Sequence, residues 1–236
     1  MPGTLVISPH YDDAVLSCGH WLQMNPGSFV STVCSGFAGP GIGPSNWDRD
    51  SFFVSADQAT ATRQAEDLAA LTALAAKQGP FLGFLDGPYQ HRGRNLVGLE
   101  ASIGDLLDFL APSRCLVPLG VAHNDHIETG KACRRALVAR SGRGIEAIVY
   151  ADLPYRVLPA TVESYDKDLS RALTEQVAEE GFPMRADVEW NIPSTDQAKR
   201  TAVYRYGSQL LQLDKGAVEQ SIQLDAEMFW HLATSD

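Results

Sequence analysis

Two short segments of this 236-residue sequence hold the side chains best suited to chemistry. His10-Tyr11-Asp12-Asp13 offers one imidazole and two adjacent carboxylates, and His123-Asn124-Asp125-His126 adds two imidazoles and a third carboxylate. This donor mixture suits zinc. A catalytic zinc takes three protein ligands from His, Asp or Glu and keeps one position open for water, whose pKa then falls toward about 7. Two imidazoles and one carboxylate leave such a centre with net positive charge, which favours hydroxide. The remaining carboxylate is then available to accept the proton of the attacking water, and the remaining imidazole to stabilise or protonate what leaves. Each segment alone has an ordinary alternative, an aspartate capping the next helix or a solvated strand-end histidine. Their arrival at one place is what argues for a site.

That arrival depends on the elements around them. Short β-rich apolar runs alternate with longer segments of helical period: Thr4–Ile7 then Asp13–Met24, Phe29–Cys34 then Ser55–Lys77, and Phe81–Leu85 then Asn95–Leu110. Cys115–Leu119, a helix from about Ile127 to Val138, and a strand Glu146–Ala151 continue the rhythm. Continuous apolar strands separated by helices predict a parallel sheet covered on both faces. The expected fold is a Rossmann-like, doubly wound α/β domain with a mostly parallel sheet, one domain over residues 1–236, without internal repeats. Ligands of such sheets sit beyond the carboxyl ends of the strands. Both segments follow a strand there, as do the loop Ser35–Phe53, with Trp47, Asp48 and Asp50, and the loop Asp86–Asn95, with Tyr89, Gln90, His91 and Arg92. Four of the six histidines thus fall on one edge.

Composition removes several function classes. A net charge of -10 argues against nucleic acid as a partner. No window reaches the ~18–20 apolar residues of a spanning helix, and the N-terminus does not read as a signal peptide, so no membrane association is expected. Cys18, Cys34, Cys115 and Cys133 form no C-x-x-C pair, which fits a reducing cytoplasm; Cys18 and Cys34 read as small buried hydrophobes. Gly39-Pro40-Gly41-Ile42-Gly43 lacks the dinucleotide spacing, and neither a phosphate loop nor a G-x-S-x-G elbow is present. His20 lies too far along its helix to share a metal, and His231 sits beside Phe229 and Trp230 in an amphipathic stretch; both read as structural.

With those residues in view, the chain resembles the PIG-L/LmbE-type zinc-dependent de-N-acetylases, which open with a His-Pro-Asp-Asp motif and carry a later His-x-Asp-His. Arg63-Gln64-Ala65-Glu66 is similar to that family's Arg-x-x-Glu helix, Leu82–Asp86 to its Leu-Gly-x-x-Asp strand end, and Lys199 through Tyr204 to Ser208-Gln209 to its late helix. The resemblance implies His10, Asp13 and His126 as ligands of one zinc per chain, Asp12 as general base, and His123 as the group that stabilises the oxyanion or protonates the amine. It implies Asp125 as the carboxylate orienting His123, and Arg63 as a contact to substrate hydroxyl or phosphate. Tyr11 stands where the family has Pro, and Ala14 where Glu commonly follows the aspartate pair. Nitrogen and oxygen ligands also accept ferrous iron or other divalent metals.

The expected activity is hydrolysis of an N-acetyl or other N-acyl amide on an amino-sugar-containing small molecule or conjugate. Tyr89, His91 and Arg92, with Arg63, are the expected substrate contacts. Polar loops carrying single aromatic rings suit a small polar ring better than a membrane-embedded glycolipid. Two alternatives share the site: an amidase of a thiol-conjugated amino sugar, and a binding protein that keeps the metal without hydrolysis. Asp12 argues against the second, since a metal binder has no use for an adjacent second carboxylate.

Overall fold

The computed structural model describes residues 3–90, 97–155, 169–180, 184–192, 197–213 and 227–234. In chain order these form β1 (Thr4–Ser8), α1 (Asp13–Met24), β2 (Phe29–Thr32), α2 (Asn46–Asp50), α3 (Ala56–Ala73), β3 (Lys77–Gln78), α4 (Leu99–Leu110), β4 (Arg114–Pro118), α5 (Asn124–Val138) and β5 (Glu146–Tyr150). They continue with α6 (Leu169–Glu179), β6 (Met184–Ile192), α7 (Gln197–Val203), α8 (Gly207–Leu213) and β7 (Glu227–Thr234).

All seven strands join one sheet in the order β3-β2-β1-β4-β5-β7-β6. β1 to β5 pair in parallel, while β7 runs antiparallel to both β5 and β6. This is the expected Rossmann-like, mostly parallel sheet, and its strand order reverses between β1 and β4, where such sheets open a crevice. The helices cover both faces because the side chains of β1 alternate. Leu5 and Ile7 pack with α4 and α5 in one core, whereas Val6 packs with α1, α3 and α7 in the other. Each fully buried aliphatic contributes about 1.5–3 kcal/mol, so β1 is clamped from two sides and the turn that follows it starts from a fixed point.

Several boundaries differ from the sequence-based expectation, among them the end of α3 at Ala73 rather than Lys77, and three differences have a local cause. Phe81–Leu85 is not a strand; the third strand is the two-residue β3, and the chain beyond it hangs on isolated bonds such as Leu82 N–H to Thr32 O at 3.0 Å. Gly79 and Pro80 account for this: a Cβ at Gly79 would lie 2.4 Å from Ser31 Oγ, and proline has no N–H for a ladder. α5 begins at Asn124, three residues before the expected start, because His123 caps it. The C-terminal stretch around His231 is strand β7, with Phe229 in one core and Trp230 in the other, the two-residue alternation of a strand.

A break inside α1 at Cys18 frees backbone donors that the helix would otherwise use. The carboxylate of Glu227, at the start of β7, accepts the His20 N–H at 2.7 Å and the Trp21 N–H at 3.0 Å, and pairs with Lys199 Nζ at 2.6 Å. The helix that carries Asp13 is thereby tied to the antiparallel end of the sheet.

Candidate active site

The β1–α1 turn is set by Ser8, whose hydroxyl donates to His10 O at 2.5 Å and accepts the Ala14 N–H at 3.0 Å. Tyr11, in place of the family's Pro, buries its ring edge-on to Phe81 at 5.8 Å. Ala14 is fully buried, in a position with no room for solvated charge. Asp12 occupies the N-cap position of α1 but makes no side-chain cap hydrogen bond, so the capping alternative for this residue does not hold.

Across the crevice, α5 brings His123 and His126 to the same place. Asp13 Oδ2 lies 3.1 Å from both His10 Nδ1 and His126 Nε2, and these three residues are grouped closely enough to hold one ion. His126 is fully buried, and among the described residues its Nε2 makes no well-aligned hydrogen bond. Such an atom carries a desolvation cost unless something occupies its lone pair. Its Nδ1 lies 2.6 Å from Asp152 Oδ1, while Asp152 Oδ2 accepts the Gly120 N–H at 2.8 Å. With the carboxylate fixing the proton on Nδ1, the Nε2 lone pair is left facing Asp13. Gly120 is needed here: φ is +85°, and a Cβ would lie 2.8 Å from His126 O. The donor set and the orphaned nitrogen fit a divalent metal held by His10, Asp13 and His126.

The charges agree with that fit. Burial alone would raise the Asp13 carboxyl, but the imidazoles of His126 and His10 outweigh it and hold Asp13 well below the usual carboxylate range. Burial opposes a charge on His126, yet Asp13 and Asp152 lift it to about 9 in the metal-free site. Burial and the neighbouring Asp13 push Asp12 up to about 6, near the working range of a general base. His123 is lowered by burial and by His10 and His126, so it is neutral around pH 7.

One expected pairing is corrected. Asp125 was expected to orient His123, but its carboxylate lies 4.0 Å from His123 Nδ1 and 3.3 Å from His10 Nε2. It also accepts the Gly87 N–H at 2.9 Å and the Gln90 amide at 3.1 Å. These bonds, with His10 foremost, overcome burial and hold Asp125 down to about 2. As an N-cap, His123 accepts the backbone N–H of Asp125 at 3.3 Å, so its Nδ1 is already engaged and the Asp125 carboxylate lies nearer to His10. That bond places the proton of neutral His123 on Nε2.

The residues expected to meet substrate divide. Arg63, on α3, lines the cavity, but its Nη2 is paired with Asp48 and its Nη1 lies 3.8 Å from Asp86; its Nε has no partner. Tyr89 donates its hydroxyl to the same Asp48 and accepts the Ser45 N–H at 2.9 Å. His91 and Arg92 lie outside the described residues. The cavity measures about 500 Å3 and runs from His10 and Asp13 past Arg63 and Asp86 to Trp47 and Gln209, which share a hydrogen bond of 3.1 Å. Cys34 is buried as expected but also lines this cavity. Sequence reasoning missed Asp152, Asp86 as a neighbour of His10 at 3.4 Å, and Tyr155, whose ring meets His126 edge-on at 4.6 Å. Asp152 had a usable signal: it follows an apolar strand on the same sheet edge. His20 and His231 belong to neither group of candidate metal-binding residues, and His231 Nε2 lies 2.6 Å from Glu146.

Comparison with known proteins places these features in a family. Residues 5–137, more than half of the chain and including every residue of both motifs, match the family described as PIG-L: GlcNAc-PI de-N-acetylase. No curated protein matches the chain. Among solved structures, a deacetylase triple mutant of the teicoplanin biosynthetic pathway is 25% identical, with 99% of this chain and 98% of that chain covered and a TM-score of 0.74. The A40926 pseudoaglycone deacetylase Dbv21 is 26% identical, with the same coverage and a TM-score of 0.70. N,N'-diacetylchitobiose deacetylase from Pyrococcus horikoshii shares the fold at 14% identity, with 98% of this chain and 83% of that chain covered and a TM-score of 0.58. From this match and this geometry, the chain belongs to the PIG-L family and is a hydrolase of the de-N-acetylase type.

Proposed function

We propose that the chain is a zinc-dependent enzyme that removes the N-acetyl group from an amino sugar carried on a soluble conjugate. The observation that carries this reading is the buried Nε2 of His126, without a well-aligned hydrogen bond, facing Asp13 and His10, with an uncommitted Asp12 carboxylate next in sequence to a ligand. Zinc held by His10, Asp13 and His126 supplies Lewis-acid polarisation of the amide carbonyl and makes water acidic enough to react near neutral pH. Asp12, close to pH 6 in its titration, takes the proton of the attacking water and can return it to the departing amine. His123, protonated on Nε2 through the bond at its Nδ1, donates to the oxygen that gains charge as the carbonyl is attacked. The products are acetate and a free amine.

The cavity supports the sugar part of the reading. Asp86 provides a directional partner for hydroxyls, and Trp47 provides a flat apolar face. The loop Ser35–Phe53 is less polar than its sequence implies, since Phe37, Ile42, Trp47 and Phe52 are exposed on it. This favours a conjugate with a bulky, partly apolar aglycone over a bare sugar. The similar structures named above are a deacetylase of the teicoplanin biosynthetic pathway, the A40926 pseudoaglycone deacetylase and an N,N'-diacetylchitobiose deacetylase, and such substrates are consistent with this reading. No helix among the described residues is long and apolar enough to cross a membrane, and four buried free cysteines suit a reducing cytoplasm. The test is acetate release by zinc-loaded protein from soluble N-acetylglucosamine conjugates with polar and aromatic aglycones. Release only from lipid-linked, thiol-conjugated or non-sugar amides would overturn the assignment.

A further inference from the structure

Asp67 lies on α3, one turn beyond Arg63, and is fully buried. Its Oδ1 is 2.7 Å from the hydroxyl of Tyr206, on the turn between α7 and α8, and among the described residues its Oδ2 makes no well-aligned hydrogen bond, with the Gln78 amide as its polar neighbour. The same buried hydroxyl lies 3.1 Å from the carbonyl oxygen of Tyr11. A phenol has one proton to donate. If Asp67 were ionised, both neighbours of Tyr206 would be acceptors and one of them would face an oxygen without a proton. If Asp67 is protonated the count closes: Asp67 donates to Tyr206, and Tyr206 donates to Tyr11 O.

The surroundings point the same way. The groups facing Asp67 are Tyr206, Gln78 on β3, and Asp12 and Tyr11 from the β1–α1 turn, and none is a cation. Burial is the largest influence on Asp67 and, with the charge of Asp12, outweighs the opposing hydrogen bonds of Tyr206 and Gln78 and raises it to about 7. The Tyr11 carbonyl precedes the first acceptor of α1, Asp12 O, which receives the Leu16 N–H at 2.9 Å. It therefore needs a partner from outside the helix.

We propose that Asp67 is a positioning residue that acts as a neutral carboxylic acid, completing a relay from Asp67 through Tyr206 to Tyr11 O that holds the turn bearing Asp12 and Asp13. The relay spans three elements, so it ties the base and one metal ligand to α3 and to the α7–α8 turn. As an acid whose folded pKa lies above its unfolded one, Asp67 contributes stability that is full below about pH 4 and is lost as pH rises toward about 7.

The decisive comparison is wild type against Asp67→Asn, in which an amide N–H replaces the acid proton and cannot ionise. Infrared difference spectra of the metal-loaded proteins, recorded below the titration of Asp67, should show a protonated carboxyl band that disappears on substitution. Thermal unfolding should show Asp67→Asn gaining on the wild type as pH rises from about 4 to 7. Acetate release should fall in the wild type above the Asp67 titration and lose that alkaline limb in Asp67→Asn, while Tyr206→Phe lowers kcat about tenfold at all pH values. The activity arm rests on the proposed function, whereas the spectra and melting curves do not, so a wrong substrate leaves them to decide. No carboxyl band lost on substitution, or an Asp67→Asn as impaired as Tyr206→Phe, would overturn the proposal. Should Tyr206→Phe fail to fold, the spectra and the Asp67→Asn pH profile settle it.

Discussion

Asp152→Asn should weaken metal binding about 10- to 100-fold while leaving all three ligands in place. In the structure both oxygens of Asp152 accept hydrogen bonds, Oδ1 from His126 Nδ1 at 2.6 Å and Oδ2 from the Gly120 N–H at 2.8 Å. Asparagine has only one acceptor to offer. If its oxygen faces His126, its NH2 confronts the Gly120 N–H in a buried site. If its NH2 faces His126, the imidazole must carry its proton on Nε2, where the metal belongs. The first arrangement leaves a buried donor unsatisfied, at a cost of ~1–3 kcal/mol, and the second spends the metal's lone pair on a proton; a 10- to 100-fold loss corresponds to ~1.4–2.8 kcal/mol. The two routes to the magnitude agree. The assay is zinc titration against a chromophoric chelator, with melting in excess chelator to separate loss of affinity from loss of fold. A folded Asp152→Asn with wild-type affinity would refute the argument that Asp152 fixes the His126 tautomer.

The adjacent aspartates should separate: Asp12→Asn retains stoichiometric metal and loses roughly 10²–10⁴ in rate, whereas Asp13→Asn loses metal, as elemental analysis and single-turnover rates will show. Because neighbouring carboxylates, against the effect of burial, raise both His10 and His126, the latter to about 9, when metal-free, and each ligand must shed its proton to bind, apparent zinc affinity should rise by about tenfold or more per pH unit below about 9, read by titration in non-chelating buffers. Arg63→Ala strands the buried Asp48 carboxylate and should cost about 3–5 kcal/mol of stability. Tyr89→Phe removes one bond to the same carboxylate and should cost about 1 kcal/mol; equal shifts in urea midpoint would show that Arg63 and Asp48 are not coupled as an ion pair.

Much of the fold was legible because its signals are local. The runs at Thr4, Phe29, Cys115 and Glu146 are apolar on both faces, as central parallel strands must be, and the two motifs follow directly on two of them. The positions of His10, Asp12, Asp13, His123 and His126 at one sheet edge therefore followed from counting strands. β3 was misplaced since its two residues, Lys77 and Gln78, lie before Gly79 and Pro80 and carry no strand signal, while Phe81–Leu85 after them is apolar and reads as a strand. The antiparallel insertion of β7 between β5 and β6 was beyond reach, because strand pairing over such sequence distances leaves no periodic trace.

Partnerships among the polar side chains were settled only in three dimensions. Asp125 holds His10 and not His123, Asp48 claims Arg63 and Tyr89, Asp152 fixes His126, and Asp67 meets Tyr206. Each depends on the rotation of a helix about its axis and on a few ångströms of loop path, to which hydrophobic patterning is blind. Composition and spacing determined which chemistry this protein carries and on which edge of the sheet. Tertiary packing decided which carboxylate serves which imidazole or cation, since hydrogen bonds select partners by distance and direction, and the chain sets those only when the two cores close around the sheet.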